Sequence, residues 1–231
     1  MSRIVAGLLL AFALGACGQT NIQKMPGLFS SSGVTKPEVV VVSNFNFSAE
    51  TVALDRGFAA QLRRRMGNVS QEEMRRQIAS RVGREIVDAM VETLRAAGLQ
   101  AREGNQESVV ADQPTLLVTG TVRRIDEGNR ARRAVVGFGL GKTAVVSDVV
   151  VTHNFRGTMK EAFVFVAEAG SAPRPGGTAG VARAVAGAAT GAAMDKLSPE
   201  VEAGARRLGQ AAARRIIAFA TEQGWVAKPV T

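Results

Sequence analysis

Glu38-Val39-Val40-Val41-Val42-Ser43-Asn44-Phe45 is the stretch on which the reading of this chain turns. Four consecutive valines show no polar alternation, so the strand they predict is buried on both faces and sits inside a sheet rather than at its edge. Such a strand needs covering elements, and the next readable segment supplies one. Ser70 and Glu73 form a capping box at a helix N-terminus. Met74, Ile78, Val82, Ile86, Val87, Met90, Val91 and Leu94 then recur at helical spacing, and Gly98 is placed to stop the helix. A helix of this length runs about 40 Å and has to lie across a sheet.

More strands follow. Leu99 to Arg102 predicts a short one and Thr115 to Ile125 a longer one, in which Leu117, Thr119, Thr121 and Arg123 share a face while Leu116, Val118, Val122 and Arg124 sort less cleanly. Ala131 to Leu140 and Thr143 to Phe155 read as a hairpin joined near Gly141-Lys142, and Arg156-Gly157-Thr158 as a turn into a last strand, Met159 to Ala167. Residues 170–194 are rich in Gly and Ala and are expected to be a mobile loop. Ser198-Pro199-Glu200 starts a second helix, with Ser as N-cap and Pro at the first helical position. Val201, Ala205, Leu208, Ala212, Ile216, Phe219 and Ala220 give it an apolar stripe up to Gly224, and Trp225 beyond it reads as a packing plug. The expected fold is α/β (α+β): a single domain over residues 37–225, with a mixed β-sheet and two long helices packed on one face. Residues 226–231 are expected to form a C-terminal tail.

The N-terminus carries a different message. Arg3 precedes an apolar run from Ile4 to Leu14, too short for the ~20 residues of a membrane-spanning helix but suited to a secretory signal. The run ends in Leu14-Gly15-Ala16-Cys17, which resembles the lipobox of bacterial lipoproteins. That resemblance implies a signal peptide over residues 1–16, cleavage between Ala16 and Cys17, and acylation of Cys17. Several acyl chains give durable anchoring at roughly 0.8 kcal/mol per buried methylene. Gly18 is not the Asp that favours inner-membrane retention, so the expected location is the outer membrane, with the body in the periplasm. Residues 17–36 are expected to be the lipidated cysteine and a flexible tether, holding the body roughly 25 Å from the bilayer. Cys17 is the only cysteine, so the mature body has no thiol for a disulfide, a metal or a nucleophile.

Cleavage leaves 28 of the 29 Lys and Arg against 20 Asp and Glu. Much of the excess comes as adjacent arginines: Arg63 to Arg65, Arg75-Arg76, Arg123-Arg124, Arg132-Arg133, Arg206-Arg207 and Arg214-Arg215. With a secretory signal and 5% aromatic residues, no nucleic-acid partner is expected. Solvated helix faces are the simpler explanation of the pairs, and anionic envelope components the alternative.

No catalytic constellation emerges. Gly137-Phe138-Gly139-Leu140-Gly141-Lys142-Thr143 ends like a phosphate-binding loop, but Val136 stands where the first glycine is required and a strand, not a helix, follows Thr143. His153 is the sole histidine and lies in a predicted strand. The adjacent acids Glu72-Glu73 and Asp126-Glu127 are explained by helix capping and turn chemistry. No enzyme activity, cofactor or metal is expected.

Thr119-Gly120-Thr121-Val122 followed by Asn129-Arg130-Ala131-Arg132-Arg133-Ala134-Val135-Val136-Gly137-Phe138-Gly139-Leu140-Gly141 resembles a bacterial lipoprotein family of unknown function. That family carries an Arg and then a Gly-Phe-Gly-x-Gly segment after a strand ending near Thr-Gly. The opening strand with Asn-Phe, the long helix and the later Thr-Gly strand are more distantly similar to curli-secretion lipoproteins and to the N-terminal domain of the Tol-system propeller protein. The resemblance implies a role in envelope assembly, export or maintenance, through contacts with an envelope protein or with lipid. A ring-forming secretion-channel component is the alternative. It would be a homo-oligomer, with residues 131–155 as its candidate membrane hairpin.

Overall fold

The valine run forms the strand it predicts, inside a sheet. The computed structural model describes residues 19–24, 34–47, 51–53, 70–126, 144–170 and 199–227. Among them the order is β1 (Gln19–Lys24), β2 (Val39–Val42), β3 (Val52–Ala53), α1 (Gln71–Ala96), β4 (Ala101–Glu103), β5 (Thr115–Asp126), β6 (Ala144–Phe155), β7 (Thr158–Gly170) and α2 (Pro199–Glu222). All seven strands share one mixed sheet in the order β1-β7-β6-β5-β2-β4. Along β1-β7-β6-β5 each neighbouring pair is antiparallel, while β2 runs parallel to both β5 and β4. β3 pairs with the far end of β5 in continuation of β2, through a single bridge between Asn46 and Thr121. With α1 between them, β2 and β4 make a parallel crossover unit.

The helices bury the stripes the sequence predicts. Every residue from Met74 to Leu94 named above is buried, as is the Val201 to Ala220 set. Both helices pack on one face of the sheet, against Val40, Val42, Leu116, Val118, Val149, Val151, Phe163 and Phe165. Val41 and Leu117, on the opposite face, are also buried. Ser70 caps α1 by accepting from the Glu73 amide at 3.1 Å. The other half of the expected box is replaced: the Glu73 carboxylate accepts from Gln77 Nε2 and pairs with Arg76. Gly98 takes φ +83° at the C-terminus of α1, a conformation that favours glycine. The helices cross closely at Gly209, where a Cβ would stand 2.4 Å from the Ile86 carbonyl oxygen.

Two expectations need correcting. Residues 17–36 do not all form a tether, because Gln19–Lys24 is a strand paired with β7 over its whole length. An edge strand needs backbone hydrogen bonds on one side only, and partly buried Ile22 is its only contribution to the core. Val34 also packs on the core, and Val226, read as the start of a tail, does the same. The second correction concerns the hairpin. β6 pairs with β5 along one edge and β7 along the other, so neither edge is left for residues 131–140. That expected first arm lies outside the described residues, as do the signal peptide, Ala16 and Cys17, the Gly137–Thr143 segment, Ser198 and the 171–194 part of the expected loop.

Candidate functional site

One row of paired residues crosses the sheet from side to side: Ala53 opposite Asp126, Asp126 opposite Ala144, Ala144 opposite Gly170, and Gly170 opposite Gln19. Gln19 stands two residues after Cys17. At ~3.3–3.6 Å per extended residue the chain cannot carry the two Cα atoms more than about 7 Å apart. Sequence reading missed the row, because a row exists only once strands far apart in the chain have paired. Both helices start toward the same end. Gly204 in the first turns of α2 lies over Val145, with 3.5 Å between its Cβ position and the Val145 methyl, and the C-terminus of α1 leads into β4 at the opposite end.

The opposite end, where Val39, Thr115, Asn154 and Met159 align, holds His153. Its ring is buried, with burial pushing it below the usual histidine pKa and a hydrogen bond with the Thr35 backbone opposing that shift. Nε2 has no partner, and Phe155 stacks on the ring at 6.2 Å. Beside it, the buried Asn154 amide donates to the carbonyl oxygens of Val110, Ala111 and Gln113 at 3.0, 3.2 and 3.1 Å. Asn154 fastens the β4–β5 connection to the sheet. Among the described residues no group of three or more His, Cys, Asp or Glu could hold a metal. No described helix is long and apolar enough to cross a membrane.

The arginine pairs within the described residues divide among different surroundings. Arg206 bridges the helix seam to Glu85 and Glu92, and Arg215 lies over the Phe163 ring at 5.2 Å. Arg76 pairs with Glu72 within α1. Arg123 crosses to Asp148 on the sheet face away from the helices. These side chains make no common basic face. Arg63–Arg65 and Arg132–Arg133 lie outside the described residues.

Glu72 and Glu73 sit in the first turn of α1, where the sequence places them, and Asp126 ends β5. After Thr143 the chain enters β6, as the reading of the glycine segment required. Trp225 packs edge-on against Phe219 at 5.4 Å, the plug expected of it. The Thr119-Gly120 pair acquires a reason: a Cβ on Gly120 would stand 2.1 Å from the Phe45 ring. The Asn-Phe and Thr-Gly features of the two strands are thus one contact. The clue in sequence was their co-occurrence, since no local pattern links them.

The sequence profile of a domain of unknown function, DUF4410, matches residues 40–191, well over half of the chain. The chain belongs to the DUF4410 family. The matched span of this DUF4410 protein begins inside β2 and ends before α2. No curated protein matches it. Among solved structures it is similar to a PelC dodecamer from Paraburkholderia phytofirmans, at 13% identity and TM-score 0.36 over 84% of this chain and 94% of that one. A second PelC dodecamer structure from the same organism gives 13% and 0.34, over 84% and 93%. A Xanthomonas campestris protein of family DUF330 gives 11% and 0.35, over 90% and 94%. These scores are too low for the neighbours' assemblies to bear on this chain.

Proposed function

We propose that this protein is a non-enzymatic lipoprotein of the outer membrane, anchored through Cys17, with its body in the periplasm. It acts there in envelope assembly, export or maintenance through protein or lipid contacts. The observation that carries the reading is the juxtaposition at the N-terminus: Leu14-Gly15-Ala16-Cys17, then a strand that begins at Gln19 and joins the body directly. A cleavage and acylation site needs accessible chain before the fold begins, and the strand starts just after it. His153 supports the non-enzymatic part, since its ring is buried and its neighbour Asn154 is committed to backbone carbonyls.

The test is expression of the full chain in a Gram-negative host as native Cys17 and as Cys17→Ala, followed by membrane fractionation and mass analysis of the N-terminal peptide. An acylated Cys17 in the outer-membrane fraction, with loss of membrane association on substitution, is the expected result. An unmodified N-terminus with both versions soluble would overturn the anchor. Turnover of an envelope substrate by the purified body would overturn the non-enzymatic assignment. The ring-forming alternative is weaker than the sequence suggested, because residues 144–155 of its candidate hairpin form an internal strand of the body sheet.

A further inference from the structure

Residues 34–38, just before β2, pack against the His153 end of the sheet. Val34 lies on the core and Pro37 is buried. The Glu38 amide donates to the Pro114 carbonyl at 2.8 Å, and Gln113 Nε2 donates to the Glu38 carboxylate at 3.2 Å. The innermost contact is His153 itself, only 6% exposed. Its Nε2 has no partner, so its bond with the Thr35 backbone is made at Nδ1. Because that bond raises the ring's pKa, the ring donates and the Thr35 carbonyl oxygen accepts.

We propose that residues 34–38 are a strap, held closed by the neutral His153 ring and released when Nε2 takes up a proton. The neutral ring needs only the Thr35 carbonyl. A proton on Nε2 adds a charge and a second N–H where no acceptor stands. The neighbours offer none: Leu116, opposite on β5, is apolar, and Lys160, opposite on β7, is itself a cation. Arg156, another cation, lies over the Phe155 ring that stacks on His153. Within the strap Lys36 is exposed, and the Glu38 carboxylate is taken up by Gln113. Burial and the Thr35 bond, not a carboxylate, set the pKa of the ring. A buried unpaired charge is costly, so the charged ring has to reach water. β6 cannot carry it there, since its backbone is paired along both edges. The strap belongs to no strand and is the cheaper part to move. The sign follows from the two pKa values. Opening restores the ordinary 6.5, and closure holds the ring below it. Closure is therefore fully favoured above 6.5 and weakens as pH falls toward the closed-state value. Release would add the Val34 and Pro37 contacts to an end that already exposes Val110 and Phe155. The inference stands whether or not Cys17 is acylated.

The test uses the mature chain carrying Cys17→Ala, which has no other thiol. Lys36→Cys in the strap and Arg214→Cys on α2, both at exposed positions, each take one nitroxide label. Spectra are recorded from about pH 8 to about pH 5, spanning ordinary histidine titration. The strap label is expected to shift from slow to fast motion on acidification, while the α2 label stays slow. His153 is the sole histidine, so its ring resonances report its titration directly, and the two midpoints should coincide. His153→Gln can still donate to Thr35 but does not titrate, and should keep the strap label slow at every pH. His153→Leu lacks the donor and should leave it fast already at neutral pH. A strap label that never moves, two labels that loosen together, or midpoints that differ would overturn the strap. So would acid release in His153→Gln. Should His153→Leu fail to fold, the parent's midpoints and the His153→Gln curve still decide.

Discussion

The two ends of the sheet are joined by different kinds of chain. At the Thr115–Asn154–Met159 end, β6 turns into β7 through Arg156 and Gly157, and the connection between β4 and β5 is tied down by the Asn154 amide and by a bond from the Gly157 amide to the Ala111 carbonyl. At the Asp126–Ala144–Gly170 end the chain leaves in long basic stretches, which return to β6 and to the two helix starts. The first end holds its backbone through buried, directional hydrogen bonds, where a wrong atom costs stability. At the second, the connecting stretches 54–69, 127–143 and 171–198 hold eleven Lys and Arg against three Asp and Glu in sequence. Substitutions at the two ends should therefore differ in how much stability they cost.

The sharpest way to break this contrast is Asn154→Leu. It strands three carbonyl oxygens that share one buried amide, and should lower unfolding free energy by about 3 kcal/mol or more, read from the urea midpoint. A loss as small as that of a surface change would mean the pinned end is not pinned by Asn154. Gly157→Val comes next. Arg156 and Gly157 have φ of 51° and 75°, the left-handed pair of a two-residue hairpin turn. A β-branched residue there should cost about 1–2 kcal/mol by the same measurement.

His153 sharpens the contrast through pH. Its folded pKa lies below the ordinary 6.5, so the folded state binds fewer protons than the unfolded chain. Its contribution is fully present above the unfolded value and is lost as pH falls from there toward the folded value. Denaturant midpoints of the wild type should therefore drop from neutral to mildly acidic pH more steeply than those of His153→Gln. Parallel curves would remove the histidine from the account. The smallest effect is expected at the other end. Arg123→Ala breaks a half-exposed ion pair with Asp148 and should shift stability by only ~0.2–1 kcal/mol. A loss as large as that of Asn154→Leu would erase the distinction between the ends.

The parts of the fold visible in sequence were those governed by local periodicity. Met74 to Leu94 and Val201 to Ala220 repeat at helical spacing because one helix face is buried, and spacing alone reports that. β5 resisted sorting for a reason the structure supplies. Its register with β6 shifts between Val122 and Arg124, so Val122 and Ile125 both turn to the core while Arg123 and Arg124 both stay exposed. Strict alternation would have put Arg124 beside Val122 in the core, which burial of a charge forbids. The strand partner of β6 was misassigned because pairing is a non-local choice, and β1 was missed because an edge strand with a single apolar contact leaves almost no pattern. Of the candidate site, Cys17 was legible as a motif. The row of paired residues that Gln19 closes was not, since it depends on which strands pair.

The pairing of β1 with β7 also sets a timetable. Gln19 meets Gly170, and Lys24 meets Phe165, so the first strand of the body has to wait for the last before it can find its neighbour. Closing so large a loop costs more entropy than the β6–β7 turn, and pairings this distant in sequence form slowly. A chain emerging N-terminus first would assemble β2 through β7 while its leading segment still hung free. The edge of β7 would then stay unpaired throughout that interval, closing only once Gln19–Lys24 returned to it.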